Sequence, residues 1–200
     1  MVFHTLGDSH CHRPWEKVPG VKFHHFGAAL AYTVAKHKHD LVNGVNIRND
    51  GIEPGDVACF CFGEIDCRCH VHKHVTPDMP YQKVIDGIVN DMIIALMDNE
   101  KIIPGVRMAM LAVVPPPRAA GVYVDPGYPF IGSDDERLSY VRYWNSLLEW
   151  NCKELGWLFV NVYDKYADAD GFLNHTYSDD HVHIKDPCFY VEFLKAHNLL

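Results

Sequence analysis

Two short segments at opposite ends of the chain carry residue types that can perform acyl chemistry. Gly7-Asp8-Ser9-His10 follows the apolar run Val2 to Leu6. A serine there stands at the end of a strand, where a sharp turn exposes its hydroxyl. Near the other end stands Ser178-Asp179-Asp180-His181-Val182-His183. A serine hydroxyl is a weak nucleophile at neutral pH and needs a base to take its proton during attack. Histidine suits that task because its ordinary pKa lies near operating pH. A carboxylate on the second ring nitrogen fixes the tautomer and stabilises the imidazolium that forms. Asp180 and His183 are three residues apart, so one tight loop can present both, whereas Asp179 has no histidine three residues on. The spacing therefore selects Asp180 as the partner of His183, a base for the Ser9 hydroxyl, leaving His181 to point elsewhere. Alone, Gly, Asp and Ser are ordinary turn residues; the first segment takes its meaning from the second.

The elements that would position these groups alternate. Apolar runs at Val2 to Leu6, Val21 to Phe26, Val57 to Phe62, Arg107 to Val114 and Leu158 to Val162 read as strands covered on both faces. Between them, Ala28 to His37 follows a glycine and is rich in Ala. Tyr81 to Asn99 places Val84, Ile88, Met92 and Leu96 at four-residue intervals, with Pro80 just before it. Ser133 caps a helix whose first turn is acidic and which stops at Gly156. A last helix starts near Asp186-Pro187. This order predicts an open, mostly parallel sheet between helical layers. Pro115-Pro116-Pro117 and the Gly/Pro-rich stretch Gly121 to Gly132 form one long loop, which either shapes a pocket at the strand ends or is a plain surface connection.

Composition bounds the function. The chain has 200 residues, 48% of them hydrophobic, enough for one core, and a net charge of -8. That charge argues against nucleic acid as a partner, since phosphate binding needs a basic face. No apolar run reaches membrane-spanning length, and Met1 to Leu6 lacks the basic start of a signal peptide. The seven cysteines, an odd number, read as reduced thiols in a cytoplasmic setting.

The two end segments, ordered around this pattern over nearly the whole chain, resemble the SGNH, or GDSL-like, hydrolase family. Its first block reads Gly-Asp-Ser after the first strand, and its last reads Asp-x-x-His before the final helix. The resemblance implies a single domain over residues 1–200, built as a flavodoxin-like three-layer α/β/α sandwich with a five-stranded parallel sheet. It implies esterase, deacetylase or acyl-transfer chemistry through an acyl-enzyme on Ser9, with Asp180 and His183 completing the triad and no cofactor. The implied partner is a small-molecule or glycan ester, frequently an O-acetyl group on a carbohydrate.

The family's second block supplies a glycine amide to the oxyanion. Gly27 and Gly44 both qualify, and Gly27 is preferred because it follows a strand and precedes the helix expected from Ala28, at that helix's positive end. The third block normally reads Gly-x-Asn-Asp, whereas here Gly63-Glu64-Ile65-Asp66-Cys67-Arg68 puts Ile65 in the position of the asparagine. Losing one oxyanion donor costs roughly a hundredfold or more. Arg68 is the expected substitute, with Glu64 orienting it or contacting a sugar hydroxyl. The other reading makes Glu64, Asp66 and Arg68 a structural ion-pair network. His10 and His12, beside the nucleophile, are expected to contact substrate or backbone.

The chain holds 14 histidines. His70, His72 and His74 would share a face of an extended segment, with Cys67 and Cys69 nearby, yet the spacing matches no usual paired zinc pattern and no metal is assigned. Tyr140, Tyr143, Trp144, Leu147 and Trp150 have helical spacing and read as core. Two other function classes stand beside the hydrolase: a non-catalytic carbohydrate-binding relative, motivated by Ile65, and a histidine-rich metal-binding protein.

Overall fold

In the computed structural model, described over residues 1–123 and 125–200, five parallel strands form one sheet in the order β2-β1-β3-β4-β5. They are β1 (Phe3–Gly7), β2 (Val21–His25), β3 (Val57–Cys61), β4 (Arg107–Leu111) and β5 (Leu158–Val160). Strands β2 to β5 begin where the apolar runs begin and end short of the expected limit, whereas β1 starts and ends one residue later than its run. The helices are α1 (Ala31–Lys36), α2 (Tyr81–Ile102), α3 (Asp134–Leu155), the short α4 (Tyr163–Tyr166) and α5 (Cys188–Ala196). None is long and apolar enough to cross a membrane.

The two faces of the sheet follow from the two-residue period of a strand. Ala58, Phe60, Met108 and Met110 point into a core shared with α1, α2 and α3. Val57, Cys59, Cys61, Ala109 and Leu111 point into a second core with Trp15, Tyr166, Tyr190 and Leu194. Both faces are covered, which gives three layers. The second face is the thinner one. Its cover is α5, α4 and the turns after β1, pinned by Trp15 stacked between Phe3 (5.7 Å) and Tyr190 (4.6 Å).

The helix signals in the sequence hold where they are local. Ser133 and Glu136 form a reciprocal capping box on α3, and Gly156 closes it in the left-handed conformation. Tyr140, Tyr143, Trp144 and Leu147 contribute to the core, whereas Trp150 is 59% exposed and does not. The helix expected from Ala28 instead starts at Ala31. Its cap is remote: the Asp66 carboxylate accepts the N–H of Ala31 (2.8 Å) and of Tyr32 (3.1 Å).

The long loop packs over the end of β3 rather than lying free. The Ile131 N–H donates to the Arg68 carbonyl, and Arg118 ties its start to Asp168 and Asp170. Val124, within that loop, lies outside the described residues.

Candidate active site

A sheet of this order reverses direction between β1 and β3, and ligands of such folds sit at the carboxyl ends of the strands at that point. Ser9 stands there. Gly7 ends β1 at φ 149°, where any Cβ would collide with the Cys61 carbonyl of β3. The chain then turns over the sheet edge: the Asp8 N–H donates to the Cys61 carbonyl, and the Asp8 side chain accepts the His10 N–H at 2.8 Å. Ser9 opens the resulting 3-10 turn and is half-buried.

The C-terminal loop brings His183 to it. His183 Nε2 lies 2.8 Å from Ser9 Oγ, across 174 positions of sequence. On the other side of the ring, Nδ1 lies 3.0 Å from a carboxylate oxygen of Asp179, not of Asp180. Asp180 departs from the sequence expectation for a backbone reason. It adopts φ 66°, a left-handed conformation that Asp and Asn tolerate, and its side chain is exposed. Asp179, one residue earlier, folds back along the loop. Its Oδ1 accepts the N–H of His181 (3.0 Å) and of His183 (3.1 Å), which leaves Oδ2 for the ring. The signal that separates the two acids lies in the turn: of two adjacent aspartates, one must supply the positive φ and the other is free to cap.

The electrostatics match this geometry. Burial would raise the Asp179 carboxyl, but the hydrogen bond and charge of His183, with the two backbone donors, hold it well below the ordinary carboxylate range. His183 is pushed below 6.5, by burial first and by the His10 charge in addition, with Asp179 and Glu64 pulling the other way. At neutral pH this is an ionised acid on a neutral imidazole whose free lone pair faces a hydroxyl.

The remaining expected site residues fall differently. His10 takes the backbone alternative rather than the substrate one: it is 5% exposed and turns inward, with Nδ1 3.2 Å from Asp8 Oδ1 and Nε2 3.2 Å from the Val182 carbonyl. His12 pairs with Glu16 at 2.9 Å instead. Glu64 and Arg68 are 6% and 8% exposed and face each other: Nε to Oε1 is 2.7 Å and Nη2 to Oε2 is 3.1 Å. The third guanidinium nitrogen donates to the Tyr128 carbonyl. Arg68 is therefore spent on structure and does not replace the missing asparagine, and Glu64 is covered rather than free to meet a sugar hydroxyl. Burial would raise the Glu64 carboxyl, yet Arg68, His10 and His183 hold it ionised. Ile65 is buried in the core. Asp66, which sequence reasoning grouped with the ion pairs, caps α1 instead; burial lifts its carboxyl to about 7 against the two N–H donors. Gly27 is exposed at φ 72°, next to Phe26, whose N–H donates to the Gly7 carbonyl. Because α1 starts at Ala31, Gly27 is not at its positive end. His181 Nδ1 lies 3.1 Å from the Tyr123 carbonyl, away from Ser9.

The histidines of the 70–74 segment lie on helical turns rather than an extended strand, so His72 points away from His70 and His74. His72 meets the Tyr140 hydroxyl, while His70 packs between Tyr32 and His74. Among the described residues, no three His, Cys, Asp or Glu side chains converge as metal ligands.

The chain matches no protein-family model and no curated protein sequence. Solved structures do share its fold. A protein from Streptococcus pneumonia described as a platelet activating factor has a TM-score of 0.65 at 16% identity, over 98% of this chain and 82% of that one. A GDSL-like lipase from Bacteroides thetaiotaomicron has a TM-score of 0.58 at 14% identity, over 97% and 83%. A member of the lipolytic G-D-S-L family from Veillonella parvula has a TM-score of 0.56 at 13% identity, over 100% and 98%. At these identities the likeness is one of fold, and the fold is that of the SGNH, or GDSL-like, hydrolases.

Proposed function

We propose that this chain is a serine esterase that cleaves small acyl esters through an acyl-enzyme. The observation that carries the reading is the line Ser9 Oγ, His183 Nε2, His183 Nδ1, Asp179 Oδ2, with separations of 2.8 and 3.0 Å. In the acylation step His183 takes the Ser9 proton as Oγ bonds to the acyl carbon. The tetrahedral intermediate then collapses as His183 returns the proton to the departing alkoxide, which leaves as an alcohol. Water repeats the sequence and releases the acid. The developing oxyanion is assigned to a main-chain donor, the Ser9 amide at the start of its turn, since Arg68 is engaged elsewhere.

The finer reading is an O-acetyl group on a carbohydrate, removed by hydrolysis or passed to an acceptor hydroxyl. A groove of about 280 Å³ lies beyond the ends of β2 and β3, lined by Phe26, Leu30, Val45 and Phe62 with Asn43 and Asn49. A compartment that keeps thiols reduced fits the seven cysteines, six of them buried and none in a disulfide among the described residues.

Ser9→Ala should abolish turnover of p-nitrophenyl acetate and of an acetylated sugar while leaving the thermal midpoint unchanged. Undiminished rates in that variant would falsify the proposal. Ile65 favours one second reading, a sugar-binding relative without efficient chemistry. Carbohydrate binding together with no labelling of Ser9 by a serine-reactive phosphonate would establish that reading instead.

A further inference from the structure

His10 is the group for which the triad gives no account. It follows the nucleophile directly, yet its ring is buried beneath the turn, and both nitrogens face oxygen. A neutral imidazole has one N–H and one lone pair. The Val182 carbonyl at Nε2 only accepts. Asp8 Oδ1 at Nδ1 already accepts the His10 backbone N–H, so it too is arranged as an acceptor. Satisfying both contacts requires a proton on each nitrogen.

The surroundings suit that charge. Asp8 faces the ring from its own turn. Glu64 faces it from the segment after β3, with Arg68 behind, and the Cys61 thiol lines the same small cavity. From the C-terminal loop comes His183, its ring centre 4.9 Å from that of His10 and tilted by 40°, with Asp179 and Arg13 on its far side. Asp66 lies near Asp8 and closes the set.

We infer that His10 is held as a buried imidazolium through neutral pH and acts as a positioning residue for His183. It does so in two ways. Its Nε2–H grips the carbonyl of the residue before His183 and ties the last loop to the nucleophile turn. Its fixed charge, one ring away, opposes a second positive charge on His183 and keeps that ring a free base to lower pH. The gain has a chemical cost, because a base of lower pKa is a weaker proton acceptor. The titration balance agrees: burial works against the charge, but the Asp8 hydrogen bond and charge, Glu64 and the Val182 carbonyl outweigh it and lift the imidazolium to about 9.

This rests on the reading of His183 as the base, and the test separates the two. In the full-length protein with ¹⁵N-labelled histidine, His10 should show both ring nitrogens protonated from pH 5 to 8, and His183 should titrate below 6.5. In His10→Gln, the His183 midpoint and the acid limb of kcat/KM should both rise by about one pH unit. A singly protonated His10 at pH 7 overturns the inference, as does a His183 midpoint unmoved in His10→Gln. The wild-type spectra decide the protonation state even if the variant does not fold. Ester turnover that survives Ser9→Ala defeats the esterase reading alone, since the nitrogen titrations do not depend on turnover.

Discussion

Substituting each of the two adjacent aspartates separates the loop geometry from the spacing argument. In Asp179→Asn the Oδ1 position still receives the N–H groups of His181 and His183, so the amide carbonyl belongs there and the loop keeps its shape. The NH2 then occupies the Oδ2 position, 3.0 Å from His183 Nδ1, and donates to it. The neutral ring must carry its proton on Nε2, which presents an N–H to Ser9 where a lone pair is needed. A reversed tautomer of this kind lowers turnover by about 10³- to 10⁴-fold, equivalent to about 4–6 kcal/mol of transition-state stabilisation at about 1.4 kcal/mol per decade. Asp180→Asn changes an exposed side chain at a left-handed position that asparagine also accepts. It should leave kcat/KM within about twofold and stability within about 0.5 kcal/mol. Initial rates on p-nitrophenyl acetate, with thermal midpoints for both variants, give the comparison. Equal losses in the two variants, or an Asp179→Asn enzyme keeping more than about a tenth of its activity, refute the assignment of Asp179.

Two further outcomes follow from buried charge. Arg68→Leu strands the Glu64 carboxylate without its cation and should cost about 3–5 kcal/mol in urea unfolding, most of it recovered in the Glu64→Leu/Arg68→Leu double variant; a single variant as stable as wild type contradicts the structural role given to the pair. His10, with its pKa raised from 6.5 to about 9, contributes stability that is fully present below pH 6.5 and lost as pH rises through about 9. The stability gap between wild type and His10→Gln should therefore shrink by about 3 kcal/mol between pH 6 and 10, and a gap constant over that range would rule out the buried charge.

Much of the frame was legible because it depends on local pattern. Near-continuous Val, Cys, Phe and Met in β3 and β4 announce strands covered on both faces, and Ser133, Glu136 and Gly156 mark the ends of α3 without reference to the rest of the chain. The contact between Ser9 and His183 was legible from residue type and order, a serine just past β1 and an Asp/His cluster ahead of α5. What was not legible is set by remote partners. The start of α1 has no capping residue in Ala28-Ala29-Leu30; its cap is Asp66, 35 positions away. Arg68 is permanently charged and has several donors, which made it a plausible oxyanion ligand by type, but Glu64 one helical turn earlier and the Tyr128 carbonyl engage it. Which aspartate serves His183 depends on the backbone sign at residue 180, and sequence spacing does not encode it.

The same dependence shows what holds the site together. No single element carries both Ser9 and His183, so their 2.8 Å approach is a property of how the last loop docks on the turns after β1. That docking is spread along residues 10–17. His10 meets the Val182 carbonyl, Arg13 pairs with Asp179 at 3.5 Å, Trp15 stacks on Tyr190, and the Lys17 ammonium donates to the Lys185 carbonyl at 2.8 Å. Arg13 and Lys17 lie toward solvent and are worth little individually. Trp15 is fully buried and anchors the packing, but it is not aimed at the reacting atoms. Of these, His10 alone is both buried and one residue from Ser9 while gripping the carbonyl of the residue before His183. Loosening it should therefore disturb proton transfer before it disturbs the fold, which is the behaviour of a positioning group rather than of a core residue.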